Sequence, residues 1–264
     1  MPNAECGLIT KVIIRRADMK KLLLFTVVML LAAGAGLFAL DAKFDKAYAE
    51  KLLKTVDKSL YPQIFKSSLT MTTFRNGREP LAYKYEIYSK GADKSLMKIV
   101  SPARDKGKKI LLNGDNLWMY MPDVSRPIRL SRKQAFMGST FSNEDLASSG
   151  WADNYNAEIT QQKGTLILLV LSAKNREVAY AKIEMWIDDN AKVPTEAVYF
   201  GLSGKAIKKM EFSNPQTIGG LVRPLDMKMV DLIEEGAYTE VKMLTMEELQ
   251  SVPEYMFDQS QMGR

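Results

Sequence analysis

Histidine is absent from all 264 positions, and the one cysteine, Cys6, stands close to the start. The first absence removes the commonest general base, the Ser-His-Asp triad and the usual zinc ligand together. The second leaves everything after Cys6 without a disulfide, a thiolate metal site or a lipidation cysteine. Such a chain must be held by its core, which is feasible: roughly 220 residues bury about 70% of their unfolded surface. There is no Gly-x-Ser-x-Gly elbow, no Gly-rich phosphate loop and no calcium loop. The acid pairs Asp188-Asp189 and Glu234-Glu235 fall at expected strand ends and read as solvated turn residues rather than a glycosidase pair. No enzyme, metal or cofactor is expected. The net charge is +6; residues 1–42 hold five of the 37 Lys and Arg and three of the 31 Asp and Glu, so the remainder keeps +4. That dispersed basicity suits an anionic membrane surface and lacks the clustered stripe of a nucleic-acid binder.

What is present begins with a leader. Lys20-Lys21 precede an apolar run over 22–40 that ends among small residues, the pattern of a secretory signal peptide over 19–42 with cleavage near Ala39 to Ala42. The run is long enough to raise the rival of an uncleaved anchor. Its Ala- and Gly-rich second half, 32–36, suits an exit region better. Met1 to Asp18 then read as an upstream extension, and 43–264 as one domain without repeats, low-complexity tracts or long linkers. The expected location is the periplasm.

Phe44, Tyr48, Leu52, Val56 and Leu60 recur every fourth residue, which predicts an amphipathic helix ending before Pro62. From Ser67 the period changes to two: Leu69 and Met71, then Tyr83, Tyr85 and Ile87, then Met97 and Ile99 mark one dry face of hairpin-linked strands. Residues 165–171 are apolar on both faces, so something must cover both. Alternating strands follow around Met185, Ala197 and Tyr199, Met210, Met227 and Met243, with turns at Asp189-Asn190, 201–204 and Gly219-Gly220. Thr245-Met246-Glu247-Glu248 has the form of a capping box opening a short helix before a polar tail. Of 16 methionines, many fall on strands. Each alone is ordinary core; together they suit a cavity that re-packs around flexible chains.

The stretch 113–146 organises the rest. A turn at Asn113-Gly114-Asp115-Asn116 leads into Leu117-Trp118-Met119-Tyr120-Met121, apolar on both faces and stopped by Pro122. Alternation sets Trp118 and Tyr120 on one side and Leu117, Met119 and Met121 on the other. Then come an Arg-rich step and Phe136-Met137-Gly138-Ser139-Thr140-Phe141, with Ser142 and Asp145 spaced as a helix N-cap.

The order Gly-Asp-x-Leu-Trp-x-Tyr-x-Pro, then Met-Gly-Ser-x-Phe-Ser-Asn-Glu-Asp-Leu, with Pro102 and Lys106-Gly107 upstream and Ile218-Gly219-Gly220-x-x-Arg223-Pro224 downstream, resembles the LolA/LolB-like outer-membrane lipoprotein-sorting proteins. The resemblance implies a mainly β, α+β fold: a curved antiparallel sheet, an incomplete β-barrel covered by helices. It also implies a periplasmic carrier whose apolar interior holds lipoprotein acyl chains or other lipids, in exchange with an envelope transport complex or in transient contact with a membrane. The candidate acyl-chain wall is Met97, Ile99, Trp118, Met119, Tyr120, Met121 and Met185, with Phe136 and Phe141 on a Gly138-hinged cover. A non-shuttling sensor or structural subunit of an envelope complex is the alternative use of the same fold.

Overall fold

The computed structural model describes residues 44–263, apart from 62, 92, 115, 125, 148, 149 and 177. The expectations for 1–18 and for the signal peptide over 19–42 lie outside the described residues.

The four-residue apolar recurrence folds as helix α1, Lys46–Leu60. Its N-cap is Asp45, whose carboxylate accepts the Tyr48 N–H at 2.8 Å. Ala49, Leu52, Leu53 and Val56 form the buried stripe. The period-two segments become strands: β1 Ile64–Phe74, β2 Leu81–Lys90, β3 Lys94–Ser101, β4 Lys109–Asn113, β5 Asn116–Tyr120 and β6 Ile128–Arg129. A five-residue helix α2, Asn143–Ala147, follows. Then come β7 Tyr155–Lys163, β8 Leu166–Ala173, β9 Lys182–Asp188, β10 Val193–Phe200, β11 Ala206–Ile218, β12 Leu221–Asp231 and β13 Tyr238–Glu248.

All thirteen strands join one antiparallel sheet in the order β6-β5-β4-β3-β2-β1-β13-β12-β11-β10-β9-β8-β7. The chain meanders outward from β1 to β6, crosses to the far edge at β7 and meanders back until β13 pairs with β1. The sheet curves but stays open, because β6 and β7 are its edges. The segment that crosses between them, residues 130–154, lies over the inner face, where Phe136 and Phe141 join the main core.

The expectation of helical cover holds in part. Among the described residues there are two α-helices, and most of the remaining cover is this crossing segment. The capping-box reading of 245–248 is corrected: these residues extend β13, with Ser67 opposite Met246 and Ser68 opposite Thr245. The Ser68 and Thr245 hydroxyls bond across the pair at 2.8 Å. Pairing with β1 gives alternate residues of this stretch ladder hydrogen bonds that a local cap would not supply. The tail beyond is also less polar in its role than its composition suggests. Val252, Phe257 and Met262 are buried in a second apolar cluster with Leu96 and Leu111 on the outer face of the sheet.

Candidate functional site

Inward-facing positions on β1, β2, β3, β10, β11, β12 and β13 enclose, with the end of α1 and the crossing segment, a cavity of about 1300 Å³ including the space at its mouth. Leu69, Met97, Phe141, Met210, Phe212, Val241 and Met243 make most of its wall apolar, and Met227 and Met246 complete a set of five methionines. Gly91, in the turn between β2 and β3, is the one exposed residue of the described wall, which puts the mouth at that turn. Lys94, three residues further on, is in the wall with it.

Two polar devices fix the shape. Arg223 on β12 is 1% exposed, and its guanidinium donates to the carbonyls of Lys58, at 2.9 Å, and Ser59. These are carbonyls that the end of a helix leaves without partners. The same guanidinium reaches Ile218 O at 3.1 Å and Glu248 at 2.7 Å, so it ties the mouth end of α1 to β12 and β13. Asp57 on α1 accepts the backbone N–H groups of Trp151 and Ala152 at 3.0 and 2.9 Å, docking the crossing segment onto the helix. Burial pushes its carboxyl up to about 6 against those two bonds. A side chain at Gly150 would stand 2.7 Å from the Asp57 carboxylate, which is why glycine precedes the docked pair.

The far end of the wall is polar but closed. The predicted cap forms: Ser142 N–H donates to Asp145 at 2.7 Å, and Asp145 N–H to the Ser142 hydroxyl at 3.2 Å. Asp145 also accepts the Tyr180 hydroxyl at 2.7 Å, and Tyr155 donates to the Tyr180 carbonyl at 3.0 Å. Burial raises the Tyr155, Tyr180 and Tyr199 phenols above their ordinary value, so the wall they form is neutral. The cover itself is stitched down. Thr140 N–H donates to Thr239 on β13 at 3.0 Å, its hydroxyl donates to Met229 O on β12 at 2.9 Å, and Arg75 holds the Gly138 carbonyl at 3.2 Å.

The residues anticipated from sequence divide three ways. Met97 and Phe141 line the cavity, and Met97 with Phe136 also borders a smaller pocket beside it. Ile99 and Met185 are buried in the same core, and Met119 packs against it, but none of the three borders the cavity. Trp118 and Tyr120 are on the opposite face, packed against the cluster beneath the C-terminal segment, and Met121 follows β5 in neither cluster. The strand alternation holds; what differs is the face that meets the cavity. The wall residues not anticipated include Ser67, Trp151 and Met246. One further motif is neutralised by geometry: Ser95-Leu96-Met97-Lys98 has the spacing of a Ser-x-x-Lys hydrolase, yet on β3 residues three apart point to opposite faces.

A family model described as an uncharacterized protein matches residues 91–264. The chain belongs to that family. No curated protein matches it. Among solved structures, a LolA superfamily protein from Nitrosomonas europaea is 28% identical, with a TM-score of 0.73 over 80% of this chain and 97% of its own. A DUF1329 family protein from Desulfovibrio piger is 23% identical, with a TM-score of 0.74 over 81% and 98%. A domain from Vibrio parahaemolyticus named for outer membrane lipoprotein sorting is 19% identical, with a TM-score of 0.74 over 83% and 100%. The family is therefore LolA-like, as the motifs of 113–146 and 218–224 implied, and the curved open sheet is the fold it shares with these neighbours.

Proposed function

We propose that this LolA-like protein is a periplasmic carrier whose inner cavity holds the acyl chains of lipoproteins, or of related lipids, on their way to the outer membrane. The observation that carries the reading is the cavity itself: an apolar, methionine-rich wall with its mouth at the β2–β3 turn. Unbranched thioether side chains re-pack around a chain of no fixed shape at small cost. Each methylene withdrawn from water contributes about 0.8 kcal/mol, so a chain of roughly a dozen buried methylenes outweighs the cost of association. The kinship with a LolA superfamily protein supports the cargo class, and the basic, apolar leader supports the periplasmic address. Loading and release are then transient contacts with a membrane or with an envelope transport complex. No reaction is assigned.

The test is the lipid that the chain carries. Protein expressed with its own leader and purified from the periplasm is expected to yield acylated species by mass spectrometry in near-stoichiometric amount. Met97→Asp, which places a carboxylate in the wall, is expected to empty it. A wild-type protein that carries no lipid and gives no heat with a palmitoyl probe overturns the proposal.

A further inference from the structure

Ser67 is 1% exposed, lies in the cavity wall, and its hydroxyl makes no hydrogen bond within the protein. Its surroundings explain why. On the inner face it is flanked by Ile87 on β2 and Met246 on β13, with Phe65 and Leu69 two residues away along β1. None of these side chains offers a strong partner. A buried hydroxyl without a partner is costly, and alanine at this position would be the more stable choice for an empty cavity. Tyr85 carries the other unpartnered buried hydroxyl among the described residues, but it does not border the cavity.

The position of Ser67 along the cavity is informative. Gly91 at the mouth is four residues along β2 from Ile87, so Ser67 stands roughly 13 Å inside at the rise of a strand. Ser89 and Ser95, which face each other across β2 and β3, fill the interval with further hydroxyls. Met97 stands level with Ser67, both opposite Ile87, and deeper on the same faces come Leu69 and Val241. From the mouth to the level of Val241 the wall therefore changes from a lip, through an interval where Ser89 and Ser95 stand beside Phe65, to hydrocarbon.

We propose that Ser67 donates to the ester carbonyl of an acylated lipid, so that the cavity selects ester-linked chains and sets how deeply they enter. This rests on the carrier reading above and adds the linkage chemistry of its ligand. The carbonyl is an acceptor without a proton, which matches a donor that has nothing else to bond. The hydrocarbon then occupies the wall beyond Leu69 and the head stays near Gly91.

The probes are 1-palmitoyl lysophosphatidylglycerol and its 1-O-hexadecyl ether analogue, which differ by the carbonyl, titrated calorimetrically into the full chain below their micellar concentrations. The wild type is expected to bind the ester about tenfold tighter, the equivalent of ~1.4 kcal/mol and one neutral hydrogen bond. In Ser67→Ala that ratio is expected to collapse to about one, while Ser68→Ala, on the other face, keeps it. Ser67→Ala is also expected to melt no lower than wild type when empty, which separates loss of a ligand contact from loss of fold. Equal binding of the two probes by the wild type, or a preference that survives Ser67→Ala, overturns the assignment of Ser67 alone. Failure of the wild type to bind either probe overturns the carrier reading and this inference with it.

Discussion

Arg223 and Asp57 hold the cavity from two sides, and the chemistry of each sets its own test. Arg223 is a buried cation whose donors serve the last carbonyls of α1, the Ile218 carbonyl and Glu248. Arg223→Met keeps volume and removes every donor, leaving those carbonyls unpaired. The expected loss is about 2–4 kcal/mol in urea unfolding, with faster release of a palmitoyl probe as the mouth end of α1 loosens. Unchanged stability would mean that the helix end is held by other contacts. Asp57 titrates in the opposite sense from an exposed salt-bridged acid. Its folded value of about 6 lies above the unfolded 3.8, so the folded state binds the proton more tightly. The stability it contributes is present below about pH 4 and is lost as pH rises through 6. Wild type should therefore be more stable relative to Asp57→Asn at pH 4 than at pH 7. A shift of this size bounds the change at about 3 kcal/mol, with on the order of 1–2 expected after solvent screening. A difference that grows with pH would contradict the assignment.

At the scale of elements, the outer face and the inner face are independent compartments, and the three tryptophans report on different ones. Trp118 packs beneath the C-terminal segment, which Lys109 and Asn113 hold by the carbonyls of Met262 and Phe257 at 2.7 and 2.9 Å. Trp151 lines the cavity. With Trp186 and either of the others replaced by Phe, an acyl probe is expected to shift the emission of Trp151 and leave that of Trp118 unchanged. Deleting residues 249–264 should redden Trp118 as water reaches it. A saturable shift of Trp118 alone would move the ligand to the outer face. The sequence pattern made much of this legible. The recurrence of Leu52, Val56 and Leu60 defined α1, and alternation through Leu69, Met71, Tyr83 and Tyr85 defined the dry face of β1 and β2. The same alternation marks Ser67 as a polar residue on that face, a signal that was there to be found. Trp118 was harder, because a strand apolar on both sides does not say which side meets the cavity and which meets a tail 130 or more residues later in the chain. Thr245 to Glu248 went astray because a local capping pattern was overridden by pairing with β1. Arg223 stood out in its Gly-Gly-x-x-Arg-Pro setting, but its partners on α1 are 164 and 165 residues distant, beyond any local rule.

For the whole molecule, the meander of the sheet separates two ends. The cavity mouth is at the end where β2 turns into β3, close to where β13 finishes. The exposed side chains of Leu202, Leu232 and Ile233 stand at the other end, on the turns that follow β10 and β12. The cover at 136–141 is bonded to β12 and β13, so entry at the mouth leaves it undisturbed. The proposed carrier reading comes down to acyl chains lying in the inner cavity, entering past Gly91. The most direct measurement is a crystal structure of the full chain with a palmitoyl chain brominated near its methyl end. The expected result is an anomalous bromine peak among Val241, Met210 and Phe141, with the head of the ligand near the β2–β3 turn. A peak under the C-terminal segment beside Trp118, or at Leu202 and Ile233, would contradict it.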